Sequence, residues 1–138
     1  MAQIHLEVVT PHGPVVSEDV DIVTAPGIDG EFGVLANHAP FLSVIKTGTL
    51  VFKQDKREKF LMVSSGFAEV SNNKVTFLVE NAEFGHEIDV DRALRARERA
   101  EERLAQAQAH AEDLDRIRAE VALQRAVARI AVAQRTSL

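Results

Sequence analysis

Arg118, Arg125 and Arg129 are spaced by seven and four residues, a spacing that sets all three guanidinium groups on one face of a helix, opposite much of its apolar stripe. The run ALQRAVARIAVAQR, residues 122 to 135, holds no carboxylate with which Arg125 and Arg129 could pair. Two chemistries fit. A solvated arginine face makes i to i+4 ion pairs worth about 0.3–0.5 kcal/mol each. Alternatively the planar guanidinium forks, suited to bidentate contact, meet an anion from outside the segment, either an acidic protein surface or a phosphate. Upstream, EIDVDRA (87 to 93) offers Asp89 or Asp91 as the cap of a first helix, while Asp113 or Asp115 serves a second.

Other candidate chemistry is sparser. Gly27, Gly30 and Gly33 in PGIDGEFGVLANHAPF (26 to 41) superficially match a phosphate-binding glycine loop. Such loops open a helix whose N-terminus faces the phosphate, and here the chain runs on to Pro40 instead. Tight turns between strands, or an exposed docking loop bearing Asp29, Glu31, Asn37 and His38, account for the stretch better. Histidines at 5, 12, 38, 86 and 110 make no H-x-H or H-E-x-x-H arrangement, so no metal site is expected. Ser64, Ser65 and Ser71 lack a G-x-S-x-G context, and Asp19 with Asp21 is a pair that any acidic protein offers. No catalytic residue is expected.

The elements that position these groups divide the chain in two. All 7 Gly, 4 Pro and 7 Phe of the 138 residues precede residue 87, and the remainder of the chain is almost entirely Ala, Arg, Glu, Gln, Leu and Val. Residues 1–87 therefore read as a turn-rich β domain and 88–138 as a helical one. The first part carries 6 basic and 12 acidic side chains, the second 10 and 9. An acidic body argues against nucleic acid as a partner. Absence of cysteine excludes disulfides and thiolate chemistry. MAQIHLEVVT has neither the basic nor the apolar region of a signal peptide, and no apolar run approaches membrane-spanning length, so a soluble chain that is not exported is expected.

IHLEVV (4 to 9), VDIVTAP (20 to 26), EFGVL, FLSVIKTG, TLVFK, KFLMVSSG, FAEVSNN and KVTFLVE read as short strands, with turns at PHGPVV, Gly48, QDKRE, Gly66 and SNN. Their spacing predicts an antiparallel β-sandwich of eight to ten strands. From Val90 the period changes to that of a helix. Leu94, Ala100, Leu104 and Ala107 make one apolar stripe, and Leu114, Ile117, Val121 and Ala128, widened by Leu123, Val127 and Ile130, make another. AQAQAHAED between them has no Gly or Pro to compel a break. With alanine where leucine would seal a hairpin, closed and extended arrangements differ by only a few kcal/mol.

PGIDGEFGVLANHAPFLSVIKTGTL (26 to 50), SSGFAEVSNNKVTFL (64 to 78), EIDVDRA and ALQRAVARI (122 to 130), in this order over nearly the whole chain, resemble the epsilon subunit of the F-type ATP synthase in its bacterial form. Ala36 departs from the Pro or Gly that many members carry before the His-Ala-Pro run. The resemblance implies an N-terminal β-sandwich and a C-terminal two-helix hairpin in a non-catalytic rotor subunit. It implies partners: the gamma subunit and the c-ring for the sandwich, with Glu31 and His38 on the c-ring face, and the alpha and beta subunits for the extended helices, met by Arg118, Arg125 and Arg129 when ATP hydrolysis is inhibited. It further implies that ATP, as a regulatory ligand and not a required cofactor, is held by Glu83, Asp89, Arg92, Arg125 and Arg129 when the hairpin is folded. The membrane is then met only through the complex, on the cytoplasmic face of a bacterial membrane. A stand-alone β-sandwich ligand-binding module with a coiled-coil tail is the alternative, and it predicts an apolar cleft where the rotor reading predicts a filled interior.

Overall fold

The computed structural model describes residues 2–110 and 113–137, and side-chain surroundings outside 108–114. Ten strands come first: β1 (Ile4–Thr10), β2 (Gly13–Val20), β3 (Ile22–Gly27), β4 (Gly30–Leu35), β5 (Phe41–Ile45), β6 (Gly48–Gln54), β7 (Arg57–Val63), β8 (Gly66–Ser71), β9 (Lys74–Val79) and β10 (Ala82–Phe84). A 3₁₀ turn, Gly85–Glu87, leads into α1 (Val90–His110) and α2 (Asp113–Thr136). The β-sandwich followed by two helices is therefore present. PHGPVV is a tighter reversal than its two prolines suggest, since β2 already begins at Gly13.

Alternation drives the sandwich. In β1 the apolar positions Ile4, Leu6 and Val8 are fully buried while His5 and Glu7 face outward, and β9 repeats the pattern with Val75, Phe77 and Val79. The strands run in the order β10-β7-β6-β3-β5-β8-β9-β1-β2, with β4 added on β3. Between β3 and β5 the ladder narrows to the single pair Gly27↔Ile45, and there the sheet folds over on itself. Only glycine suits position 27, because a Cβ would lie 2.7 Å from the Gly30 carbonyl oxygen. One pairing departs from the antiparallel expectation: β1 runs parallel to β9, His5↔Lys74 through Val9↔Leu78, bringing the first strand beside the ninth. The interior is filled by Phe52, Phe77, Ile4, Leu6, Ile45, Leu50 and their neighbours.

Turn chemistry holds the strand ends. Asn72 and Asn73, both at positive φ (51° and 58°), form the two-residue reversal between β8 and β9, and Asp55 (58°) opens that between β6 and β7. Asn and Asp tolerate the left-handed region better than other side chains.

The helices meet along alanine. Ala93, Ala100 and Ala107 on α1, and Ala119, Ala126 and Ala133 on α2, recur every seven residues and are all buried. The equal seven-residue spacing suits two helices that pack lengthwise against each other. The larger residues expected to make the stripes lie beside this seam: Leu94, Ile117, Val121 and Val127 are exposed, while Ile130 is buried. Leu114 and the Asp113 cap lie outside the described side chains.

α1 packs chiefly on α2, and α2 in turn on β6, β7 and the 3₁₀ turn. There Ala128, Val132 and Ala133 form a second, smaller apolar cluster with Met62, Ile88 and the half-buried Phe60. The main cluster inside the sandwich is built from strand residues alone. A chain of residues 1–87 is accordingly expected to melt cooperatively as a folded sandwich, with Phe60 and Met62 newly exposed; circular dichroism and binding of a hydrophobic dye check it, and a molten fragment would contradict the two-part organisation.

Candidate functional site

The connector from sandwich to helix carries most of the candidate site. Asp89 is the cap of α1: its Oδ1 accepts the backbone N–H of Arg92 at 3.1 Å, and its carbonyl accepts that of Ala93 at 3.0 Å. Six residues upstream on β10, Glu83 accepts three hydrogen bonds from Arg129 of α2, two from Nε (3.2 and 3.1 Å) and one from Nη2 (3.0 Å). Arg129 thus lies on the inward side of α2, whereas the spacing of the arginines had suggested the side away from the apolar stripe. Two apolar faces of α2, one toward α1 and one toward β7, leave the guanidinium half-buried between them.

These groups line a cleft of about 370 Å³ bounded by Glu83, Glu87, Asp89, Arg92, Arg99 and Arg129 over a floor of Ile88, Ala93 and Ala96. Among the described residues the guanidinium groups of Arg92 and Arg99 make no hydrogen bond or ion pair. Two free forks and one engaged fork around a pocket of this size suit a small polyanion. Of the five residues expected for a nucleotide, Glu83, Asp89, Arg92 and Arg129 are brought together and Arg125 does not line the cleft. Arg99 was missed, though its signal was in the sequence: seven residues after Arg92, it stands on the same helix face.

Arg118 and Arg125 continue the Arg129 face along α2, Arg118 roughly 16 Å away at 1.5 Å per residue. Neither pairs with any described residue, and Arg118 is exposed. Glu31 is the second residue of β4 and His38 lies three residues past its other end, so residues 32–35 of the strand run between them. Glu31 is exposed beside the Ile28–Asp29 reversal, where Ile28 is 61% exposed. His38 is committed locally: its ring lies 2.7 Å from the Ala39 carbonyl oxygen through Nδ1 and packs edge-on against Phe41.

Two further features come from strand pairing, which the linear sequence hides. On the outer face of the second half-sheet, Val44, Phe67, Leu78, Val9 and Pro14 stand in register across β5, β8, β9, β1 and β2. Phe67 and Leu78 are 56% and 53% exposed, and Leu42 beside them 71%. The row is an apolar band roughly 19 Å wide at the usual strand spacing. At the polar end of the same face, His5 joins Asp19 (Nδ1 to Oδ1, 2.8 Å) and Ser17 (Nε2 to Oγ, 3.3 Å). That order of contacts matches an acyl-transfer triad, but Glu7 Oε1 also stands 3.3 Å from Nε2, and the group lies on an open strand surface. With Lys74 bound to Glu7 at 3.3 Å, it is an ionic clasp across three strands. Among the described residues no His, Asp and Glu cluster suits a metal.

A ten-stranded sandwich with a two-helix hairpin laid on one face, and a cleft of mixed charge where they join, defines a class of small two-part chains. Residues 3–85 match the family model for the ATP synthase, Delta/Epsilon chain, beta-sandwich domain, and residues 86–134 that for the ATP synthase, Delta/Epsilon chain, long alpha-helix domain. The chain belongs to the ATP synthase delta/epsilon family. It is 54% identical over 129 residues, 94% of both chains, to the ATP synthase epsilon chain of Nitratidesulfovibrio vulgaris (strain DP4). Against that of Syntrophobacter fumaroxidans the identity is 51% over 134 residues, 97% of this chain and 98% of the relative. The fold is shared with a chain in the Euglena gracilis mitochondrial ATP synthase structure of OSCP, F1 and c-ring, at a TM-score of 0.81 and 24% identity, covering 99% of this chain and 82% of that one.

The seat of α2 gives a direct test of the hairpin. A Cβ on Gly85 would collide with the Thr136 hydroxyl oxygen and lie 2.6 Å from its Cβ. Gly85→Ala is expected to lift the last turn of α2 at a cost of about 1–3 kcal/mol, and adding Thr136→Gly to restore docking; the distance between labels on α2 and β7 measures both. Unchanged docking in the single variant would contradict this seat.

Proposed function

We propose that this chain is a non-catalytic subunit of the central stalk of an F-type proton-translocating ATP synthase, transmitting rotation between c-ring and catalytic head. The observation that carries the reading is the exposed apolar row Val44-Phe67-Leu78-Val9-Pro14. A band of this breadth, graded into the His5 clasp, suits a permanent partner, and in this family that partner is the gamma subunit. The sandwich, residues 1–87, is the docking part. Its c-ring contact is the reversal carrying Glu31, at the end of β4 where the polar side chains are free, while His38 at the other end is held by Ala39 and Phe41. The Euglena gracilis chain of the same fold comes from an assembly of OSCP, F1 and c-ring, which is in keeping with this reading. No helix among the described residues is long and apolar enough to cross a membrane. Contact with the cytoplasmic face of a bacterial membrane would run through the complex. Phe67→Asp should leave the thermal midpoint of the isolated chain nearly unchanged and weaken binding to gamma more than tenfold in a titration; wild-type affinity would refute the assignment of this face.

Residues 88–138 are the regulatory part. In the closed form Arg118 and Arg125 have no partner among the described residues and Arg129 is held by Glu83. When α2 leaves the sandwich, all three become free to meet acidic surfaces of the alpha and beta subunits and to impede ATP hydrolysis. The thin alanine seam and small interface with β6 and β7 keep that exchange within reach. ATP is the ligand that would oppose it: its phosphates fit the forks of Arg92, Arg99 and Arg129, and they need α1 and α2 packed together. Replacing Arg118, Arg125 and Arg129 with alanine in the assembled enzyme is expected to raise hydrolysis at low salt and low nucleotide, with the difference from wild type shrinking as salt rises. Equal rates at low salt would argue against a charge-held brake.

A further inference from the structure

We propose that Glu83 is an internal stand-in for the anionic ligand of the cleft: its carboxylate occupies Arg129 while the cleft is empty, and a bound triphosphate displaces it. The idea rests on the reading of the cleft as a triphosphate site, and it reverses the role expected of Glu83, from a ligand contact to a competitor. Three observations lead to it.

Glu83 meets Arg129 at three hydrogen bonds in the fork geometry by which guanidinium also binds phosphate, so it takes the donors that a phosphate would need. Arg92 and Arg99, on the facing helix, have no such partner among the described residues. The charged groups lining the cleft are three arginines and three carboxylates, Glu83, Glu87 and Asp89, so that the empty cleft is neutral overall. A triphosphate entering it gains little from the arginines until one carboxylate withdraws. Asp89 is fixed as the helix cap. Glu83, on a strand of three residues at the edge of the sheet and with its side chain partly open to solvent, is free to turn away.

The exchange also explains how one closed form serves two conditions. Without ligand the Glu83–Arg129 pair ties α2 to β10; with ligand the phosphates tie α2 to α1 through the same guanidinium. Docking survives both, held by different bonds.

Glu83→Gln separates the two roles, because it keeps the shape and removes the charge. Calorimetric titration of the full-length chain with ATP, and with inorganic tripolyphosphate, measures affinity; labels on α2 and β7 measure closure. The stand-in predicts about tenfold tighter binding of both probes by Glu83→Gln, equivalent to about 1.4 kcal/mol, together with a looser hairpin before ligand is added. The sign follows from the stand-in itself: a Glu83 that makes no contact with the ligand contributes only to the ligand-free closed form, so its replacement raises the free energy of that form alone. Weaker binding by Glu83→Gln while the wild type binds ATP would overturn the stand-in and make Glu83 a ligand contact, leaving the nucleotide reading intact. Binding of ATP without tripolyphosphate would overturn it as well, because the competitor must be the phosphate chain. If neither wild type nor variant binds either probe at millimolar concentration, the nucleotide reading fails and the stand-in with it. An unchanged label distance in ligand-free Glu83→Gln would show that the pair does not hold α2.

Discussion

The placement of both helices depends on how α2 sits against six residues of connector. Glu83 holds Arg129, Gly85 leaves room for Thr136, and Ile88 packs with Ala128, Val132 and Ala133. One residue later Asp89 caps α1. The segment that tethers the helices is thus also the seat of the second helix, and α1 rides on α2 with little contact of its own with the sandwich. Any event at the connector reaches both helices at once. A half-exposed ion pair of this kind contributes on the order of 1 kcal/mol, and Arg135 above the Phe60 ring, 4.6 Å from its centroid, adds a contact of similar size. The seat is specific in shape and modest in strength.

Alanine sets the same balance inside the hairpin. Six buried alanines make a seam that is small in area, so closing it removes far less apolar surface from water than a leucine seam would. Larger apolar residues are present and are left out of it: Ile117, Val121 and Val127 face solvent in the closed form. On α2 the Ile117 and Val121 side leads along the helix to Ala128 and Val132, whose positions are covered by β7. The face that docks on the sandwich is therefore longer than the sandwich that receives it. Its uncovered half lies beside Arg118 and Arg125, which have no partner among the described residues, giving α2 an apolar edge and a basic edge together.

Much of this was legible in the sequence, because composition and periodicity report local structure directly. The change of alphabet at EIDVDRA marks the passage from strand to helix, and the Asp89 cap and the strand count derive from turn residues and alternation. What was hidden depended on pairing between distant strands or on helix rotation. The row from Val44 to Pro14 draws one residue from each of five strands, and the His5 clasp joins β1, β2 and β9; neither leaves a trace in linear spacing. Of the expected stripes Ala100, Ala107, Ala128 and Ile130 are buried, whereas Leu94, Ile117, Val121 and Val127 are exposed, because periodicity gives a face and not the rotation that decides which of its residues a neighbour covers. The inward turn of Arg129 could not be read either, since it requires knowing that α2 has two neighbours. Glu31 and His38 looked like companions in one stretch, and β4 separates them.

The parallel pairing of β1 with β9 has a consequence for the order in which the chain can mature. Residues His5 to Val9 find their inner neighbours only when Lys74 to Leu78 have been made, so more than half of the polypeptide must exist before the first strand is enclosed. Until then the β1–β2 hairpin presents an open, apolar edge. The helices depend on no such distant closure for their own turns, but α2 has nowhere to rest until β6, β7 and β10 are in place. During synthesis the sandwich is therefore completed first and slowly, and the helices that follow it are laid on a surface already finished.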